Sequence, residues 1–172
     1  MHDPIETFDA KDGHTIEIFY DDHPESPRDW GHSSTFWTFH SRYCSPDPNP
    51  DPDFTPNDRE HIWLPVWMYD HGSVAYTAAP SNPFRCPWDS GCVGVIWISK
   101  EQVRREHGWK RITKARHEQI LSYLKSEVET YSQWANGEVY GFVTKDAEGE
   151  EVDSCWGFYG MDYCRQEAEA CI

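Results

Sequence analysis

Polar and apolar residues alternate over Thr15–Tyr20 (TIEIFY) and stop at Asp21-Asp22, which predicts a strand ending in a turn. An aromatic-rich second strand is expected over 34–43 (STFWTFHSRY). Residues 45–56 read SPDPNPDPDFTP, with proline at 46, 48, 50, 52 and 56. That spacing forbids both helix and ladder donation and predicts an extended acidic surface loop. A third strand over 61–69 (HIWLPVWMY) is interrupted by Pro65, hence an edge strand or a bulge. It is expected to pair with 73–78 across Asp70-His71-Gly72. The most apolar stretch, 93–98 (VGVIWI), reads as a central strand after a Pro/Gly loop over 80–92.

Helices follow. Ser99 is a good N-cap with Gln102 three residues on, and Gly108 ends that short helix. Thr113 caps a longer one running to about Asn136 before Gly137. Ile120, Leu121, Leu124, Val128, Tyr131 and Ala135 form its apolar face. Residues 138–145 and 150–159 predict a hairpin around DAEGE, and 161–171 a terminal helix. The expected class is α+β: a mostly antiparallel sheet with one long helix across a face and shorter helices beside it. One domain over 1–172 is expected, with a Pro/Asp-rich insertion at 45–60 and no internal repeat.

Composition changes this picture in two ways. The 172 residues hold 9 Trp, 9 Tyr and 8 Phe, which argue for a packed core and against disorder. They also hold 30 Asp+Glu against 15 Lys+Arg, a formal net charge of −15. Such a balance argues against a direct grip on nucleic-acid phosphates and permits a basic partner, including a protein that itself binds DNA. The charge is uneven. Residues 1–60 carry 14 acidic and 4 basic groups, 61–126 carry 5 and 9, and 127–172 carry 11 and 2. Lys100, Arg104, Arg105, Lys110, Arg111, Lys114 and Arg116 crowd the basic middle. They read first as a solvated surface neutralising nearby acid, although the segment leaves room for a local anion site. No apolar run is long enough to span a bilayer, and MHDPIETFDA has no secretory pattern, so the host cell cytosol is the expected location. Cysteines at 44, 86, 92, 155, 164 and 171 contain no Cys-x-x-Cys pair and are expected to be reduced and mostly buried.

Candidate chemistry is sparse. Histidines 32, 40, 61 and 71, with Cys44 near His40, have no ligand rhythm, so no metal or other cofactor is expected. Around Pro87-Trp88-Asp89-Ser90-Gly91, a site of His71, Asp89 and Ser90 can be drawn, but it lacks the G-x-S-x-G elbow. The plainer expectation is a turn in which Asp89 and Ser90 bond their own backbone and Trp88 anchors the loop on the core. In Asp153-Ser154-Cys155-Trp156-Gly157-Phe158-Tyr159, strand alternation sends Trp156 and Phe158 to one side and Cys155, Gly157 and Tyr159 to the other.

Several segments together resemble a family of small acidic, largely uncharacterised proteins encoded by bacteriophages and mobile elements. They are ESPRDW (25–30), PWDSGCVG (87–94), ISKEQVRREHG (98–108), EVETYSQWANGEVYGF (127–142) and EVDSCWGFYG (151–160). The resemblance spans residues 15–160 and implies a setting rather than a catalytic site; the Pro/Asp loop is longer than the family pattern. The leading expectation is an anti-defence protein, of the anti-CRISPR or anti-restriction kind, and more a binder than an enzyme. It would bind a host defence protein or ribonucleoprotein complex through acidic surfaces, as a DNA mimic, with no direct contact to nucleic acid or membrane. The carboxylates expected to do so are Asp47, Asp51, Asp53, Asp58, Glu127, Glu129 and Glu138. The alternatives are a small enzyme or sequestering protein acting on a nucleotide signal through His71, Asp89 and Ser90, and a virion or replication accessory protein.

Overall fold

The computed structural model describes residues 3–48, 51 and 53–171, without the side chain of Asp12. Pro50 and Pro52 of the expected extended loop lie outside the described residues. In chain order the elements are β1 (Glu6–Asp9), β2 (Thr15–Tyr20), β3 (Thr35–Thr38), β4 (His61–Asp70), β5 (Val74–Ala78), β6 (Ser90–Ser99), α1 (Lys100–His107), α2 (Lys114–Ala135), β7 (Val139–Lys145), β8 (Glu151–Tyr159) and α3 (Met161–Ala170). Short 3-10 turns occupy Lys11–Gly13 and Pro27–Trp30. The α+β class is as expected, with the antiparallel strands divided between two four-stranded sheets. The chain forms two compact units, one of residues 1–26 with 133–172 and one of residues 27–132.

The first unit contains the sheet β1-β2-β7-β8, antiparallel throughout. Ile16 and Ile18 of β2 share a face with Tyr140 and Phe142 of β7, and α3 covers them with Cys164 and Ala168, four residues apart. The Phe158 ring stacks on Phe142 at 5.5 Å. Trp156 does not share that face. Gly157, at φ +86°, is an extra residue opposite β7: Tyr140 pairs with Phe158 while Gly141 pairs with Trp156. This bulge corrects the simple alternation, sending Trp156 to the opposite side. The Trp156 ring lies where a side chain on Gly141 would be, since a Cβ there would come within 2.2 Å of it.

The second unit contains the sheet β3-β6-β4-β5, again antiparallel. The apolar β6 is central, as its sequence predicts. β4 is central too, so Pro65 does not mark an edge; the ladder instead shifts register between Val66 and Trp67, the bulge that proline allowed. The second strand is shorter than expected: β3 ends at Thr38. One face carries Phe36, Ile62, Leu64, Val66, Met68, Tyr76 and Ile96, all buried. α2 meets this face with Ile120, Leu124, Val128 and Tyr131 buried. Tyr131 packs edge-on against Phe36 at 5.2 Å and Tyr76 at 5.6 Å. The Tyr76 amide donates to Ser132 Oγ at 2.8 Å. Ala135, expected on the buried stripe, is exposed. The caps follow the sequence: the Gln102 amide donates to Ser99 Oγ at 3.1 Å, Gly108 takes φ +64°, and the Arg116 amide donates to Thr113 Oγ1 at 3.3 Å. No helix among the described residues is long and apolar enough to cross a membrane.

The six cysteines are free, but only Cys164 is fully buried; Cys44, Cys92, Cys155 and Cys171 are exposed, which corrects the expectation of mostly buried thiols. Burial, helped by the nearby Cys155, pushes the Cys164 thiol up from 9.0 to about 11. The unfolded chain therefore loses this proton first as pH rises. Stability from the neutral thiol is present below pH 9 and drains away as pH climbs toward about 11. Thermal melts between pH 8 and 11 should show this alkaline loss, and Cys164→Ala should flatten its slope. In the same unit, Gly141→Ala should cost about 1–3 kcal/mol by forcing Cβ into the Trp156 ring. Combining it with Trp156→Ala should cost less than the sum of the two single changes in denaturant melts.

Candidate functional site

The densest polar constellation is centred on Arg28, held in the 3-10 turn Pro27–Trp30 of the second unit. Its side chain is only 4% exposed. Nε donates to Asp47 Oδ1 at 3.1 Å and one terminal nitrogen to Oδ2 at 2.5 Å, a bidentate pair. The other terminal nitrogen reaches Glu127 at 2.7 Å, and the Ser34 carbonyl accepts at 3.0 Å. The Ser34 hydroxyl also donates to Glu127, and His32 bridges Glu127 at 3.3 Å and the Pro27 carbonyl at 2.5 Å. Burial works against the guanidinium charge, but the bonds and charges of Asp47, then those of Glu127, outweigh it and raise the Arg28 pKa. The cluster thus joins a turn, the acidic loop and α2 by one cation whose donors are filled from several sides.

Asp47 does a second task at the β3 edge. Its Oδ2 accepts from the Phe36 amide at 2.7 Å, and its own amide donates to the Phe36 carbonyl at 2.9 Å. Ser45 Oγ accepts from the Thr38 amide at 2.9 Å. The start of the acidic loop therefore occupies the open side of an edge strand. Further on, the Phe54 ring lies 4.9 Å from Trp97, Pro56 is buried, and Asp58 accepts from the Trp63 indole at 2.8 Å.

These positions sort the expected partner-binding carboxylates. Asp47 and Glu127 are tied to Arg28, and Asp58 to Trp63. Asp51 and Asp53 are exposed; Asp51 Oδ1 accepts from the Asp53 amide at 3.0 Å in a local turn. Glu129 is exposed on α2, and Glu138 is exposed in the other unit. Six of the seven lie in the second unit, where Asp47, Asp58 and Glu127 bond the protein's own donors, and Glu138 lies in the first.

The charge divides along the same line. Residues 1–26 and 133–172 contain 17 Asp+Glu and 3 Lys+Arg, net −14. Residues 27–132 contain 13 and 12, net −1. Nearly all the acidity belongs to the first unit, where Glu148, Glu150, Glu151, Asp153, Asp162 and Glu169 are exposed.

The alternative site is partly assembled. His71 Nδ1 lies 3.3 Å from Asp89 Oδ2, which also accepts from the Cys86 thiol at 3.3 Å. Ser90 faces elsewhere: its hydroxyl donates to the Cys86 carbonyl at 2.5 Å and accepts from Asn82 at 3.0 Å. Asp89 and Ser90 border a 330 Å³ groove with His40, Arg42 and Asp70, and Arg42 pairs with Asp70 at 2.8 Å. Trp88, expected to anchor the loop on the core, is instead 92% exposed. Among the described residues, no group of three or more His, Cys, Asp or Glu could hold a metal ion.

The residue that sequence reasoning passed over is Arg28. Its signal was local: with Lys11 it is the only Lys or Arg in the first 41 residues. Compared with protein-family models, curated proteins and solved structures, the chain matches none. Arg28→Met should destabilise the fold by about 2–3 kcal/mol, below the ~3–5 of a fully buried pair because both carboxylates still reach water. Hydrogen exchange should show faster opening at the Phe36 amide and along 45–48, while the first unit's amides stay protected.

Proposed function

We propose that the protein is an inhibitor that binds a basic, nucleic-acid-handling surface of another protein, with the acidic first unit as its contact. The carrying observation is the segregation of charge: net −14 on one unit against −1 on the other. Carboxylates gathered this way create a field that attracts a basic groove and speeds encounter. The resemblance to mobile-element proteins supports reading such an inhibitor as an anti-defence protein acting on a host ribonucleoprotein or restriction complex. The loop carboxylates of 45–60 serve the fold at Asp47 and Asp58, so the contact moves to the β7–β8 hairpin, β8 and α3. β8 supports this: it is an outer strand of its sheet, and Val152 and Trp156 are about half exposed beside Glu151 and Asp153. Binding is favoured over chemistry at His71, Asp89 and Ser90 because the Ser90 hydroxyl is committed to a backbone carbonyl.

The test compares two variants in capture from bacterial lysate and in competition of the captured complex with its nucleic acid. Neutralising Glu148, Glu150, Glu151, Asp153, Asp162 and Glu169 to Gln or Asn should slow association by about tenfold or more, with an unchanged melting temperature. Neutralising Asp51, Asp53 and Glu129 of the second unit should leave association near wild type. Equal inhibition by all three proteins would overturn the reading.

A further inference from the structure

The second unit is close to neutral overall but not locally. Lys100 and Arg104 of α1, Lys110 and Arg111 of the connection, and Lys114 and His117 of α2 line one cavity of about 480 Å³. No acidic side chain lines it. Lys100 is held in place by the Asp58 carbonyl, which accepts from Nζ at 2.5 Å. Arg104, Lys110, Arg111 and Lys114 have no ion-pair partner among the described residues. The two other cations of the basic segment are engaged elsewhere: Arg105 bonds Gln102, and Arg116 lies over the Trp109 ring at 4.6 Å while donating to the Arg111 carbonyl. Bonds from Ser33 and Gln102, with the Arg105 charge behind them, hold the Glu106 carboxyl below its usual range, so the basic middle neutralises nearby acid there but not at the cavity. Five permanent cations converge on one concavity and leave their charge unanswered.

We infer that this cavity binds a compact polyphosphate group, a diphosphate or triphosphate, free or as the end of a nucleotide. Several cations within one small volume repel each other unless an anion of similar charge density enters, and phosphate oxygens accept from Lys and Arg as charge-assisted bonds. A long nucleic acid fits poorly. Setting aside these five cations, the unit keeps 13 acidic and 7 basic groups, so the rest of the unit carries a net negative charge that disfavours a long phosphate chain. The cavity has no Trp, Tyr or Phe in its lining to stack a base, so recognition is of the phosphates. Screening at physiological salt, with a Debye length of about 8 Å, lets this local set of charges act despite the chain's negative total.

Calorimetric titration of the whole protein at 150 mM salt, with inorganic triphosphate, ATP and a twenty-nucleotide DNA strand, tests the inference. Triphosphate should bind with one-to-one stoichiometry, and ATP with the same affinity. ATP binding much more tightly than triphosphate would overturn recognition by phosphate alone, as would DNA binding more tightly than either. Replacing Arg111 and Lys114 by Gln should weaken triphosphate by about a hundredfold, since each of the two lost charge-assisted bonds is worth about 1.4 kcal/mol or more. Both side chains are exposed, so the variant should melt as wild type does. Absent binding, an affinity that survives the variant, or equal heat from sulfate at the same concentration would each sink the proposal. The carboxylate variants of the first unit should bind triphosphate as wild type does, so failure here and failure of the inhibitor reading can be told apart.

Discussion

A guanidinium taken almost fully out of water must be answered by nearly all of its surroundings. Arg28 imposes that requirement on the second unit, and several features follow from it. Its fork fits a planar carboxylate, so Asp47 approaches edge to edge and accepts twice. Asp47 can do so only if the chain after β3 turns back along that strand. The same turn places its amide, and the Ser45 hydroxyl, against Phe36 and Thr38. Glu127 completes the shell from α2, on the turn of helix adjoining Val128 and Tyr131, which are buried against the sheet. One buried charge therefore sets a strand edge, a loop and a helix position together. A buried ion pair is a weak source of net stability, and its better attested value lies in specifying one arrangement over others. Here the arrangement is the course of an acidic, proline-rich segment whose sequence, taken alone, encodes only extension.

That segment shows how much a charge count can mislead about surface. Its aspartates looked like an offered face, yet two of them satisfy donors of the protein's own fold, at Arg28 and Trp63. The acidity free to act outward is elsewhere, on the hairpin, edge strand and terminal helix of the first unit. Linear charge blocks could not reveal this, because that unit is made from both ends of the chain. The blocks 1–60 and 127–172 each mix residues of the two units, which blurs a contrast of −14 against −1.

The elements most legible in the sequence were those with local rules. Ser99, Gly108, Thr113 and Gly137 mark helix ends by cap chemistry, and each does so in the structure. Strands β2, β5 and β6 were readable from apolar alternation or apolar runs bounded by turns. What stayed hidden depended on pairing. Trp156 and Phe158 are two residues apart, and only the bulge at Gly157 puts them on opposite faces. Pro65 reads as an edge signal, but a register shift beside it lets β4 run centrally. Strand β1 has too few residues to show a period. The partners of Arg28 stayed hidden for the same reason: they lie 19 and 99 residues away, and an isolated basic residue flags the position without naming contacts of that length.

The two functional readings rest on one physical point, that net charge is a sum and recognition is not. An acidic total tells a partner little if half the molecule contributes almost none of it. Within the nearly neutral half, cancellation is again only arithmetic. Arg28 and Arg42 have carboxylates in contact, whereas the cations between α1 and α2 face one another across an open cavity. Exposed like charges drawn together in this way gain nothing for the fold and lose some stability by repulsion. Chain connectivity explains part of it, since five of the seven basic side chains between 100 and 116 fall on two helices and the short turn joining them. It does not explain why Arg105 and Arg116, on the same helices, are absorbed by Gln102 and Trp109 while the other five converge. A ligand of opposite charge supplies the missing term, because the repulsion left in the unbound cavity becomes attraction for the anion that enters it.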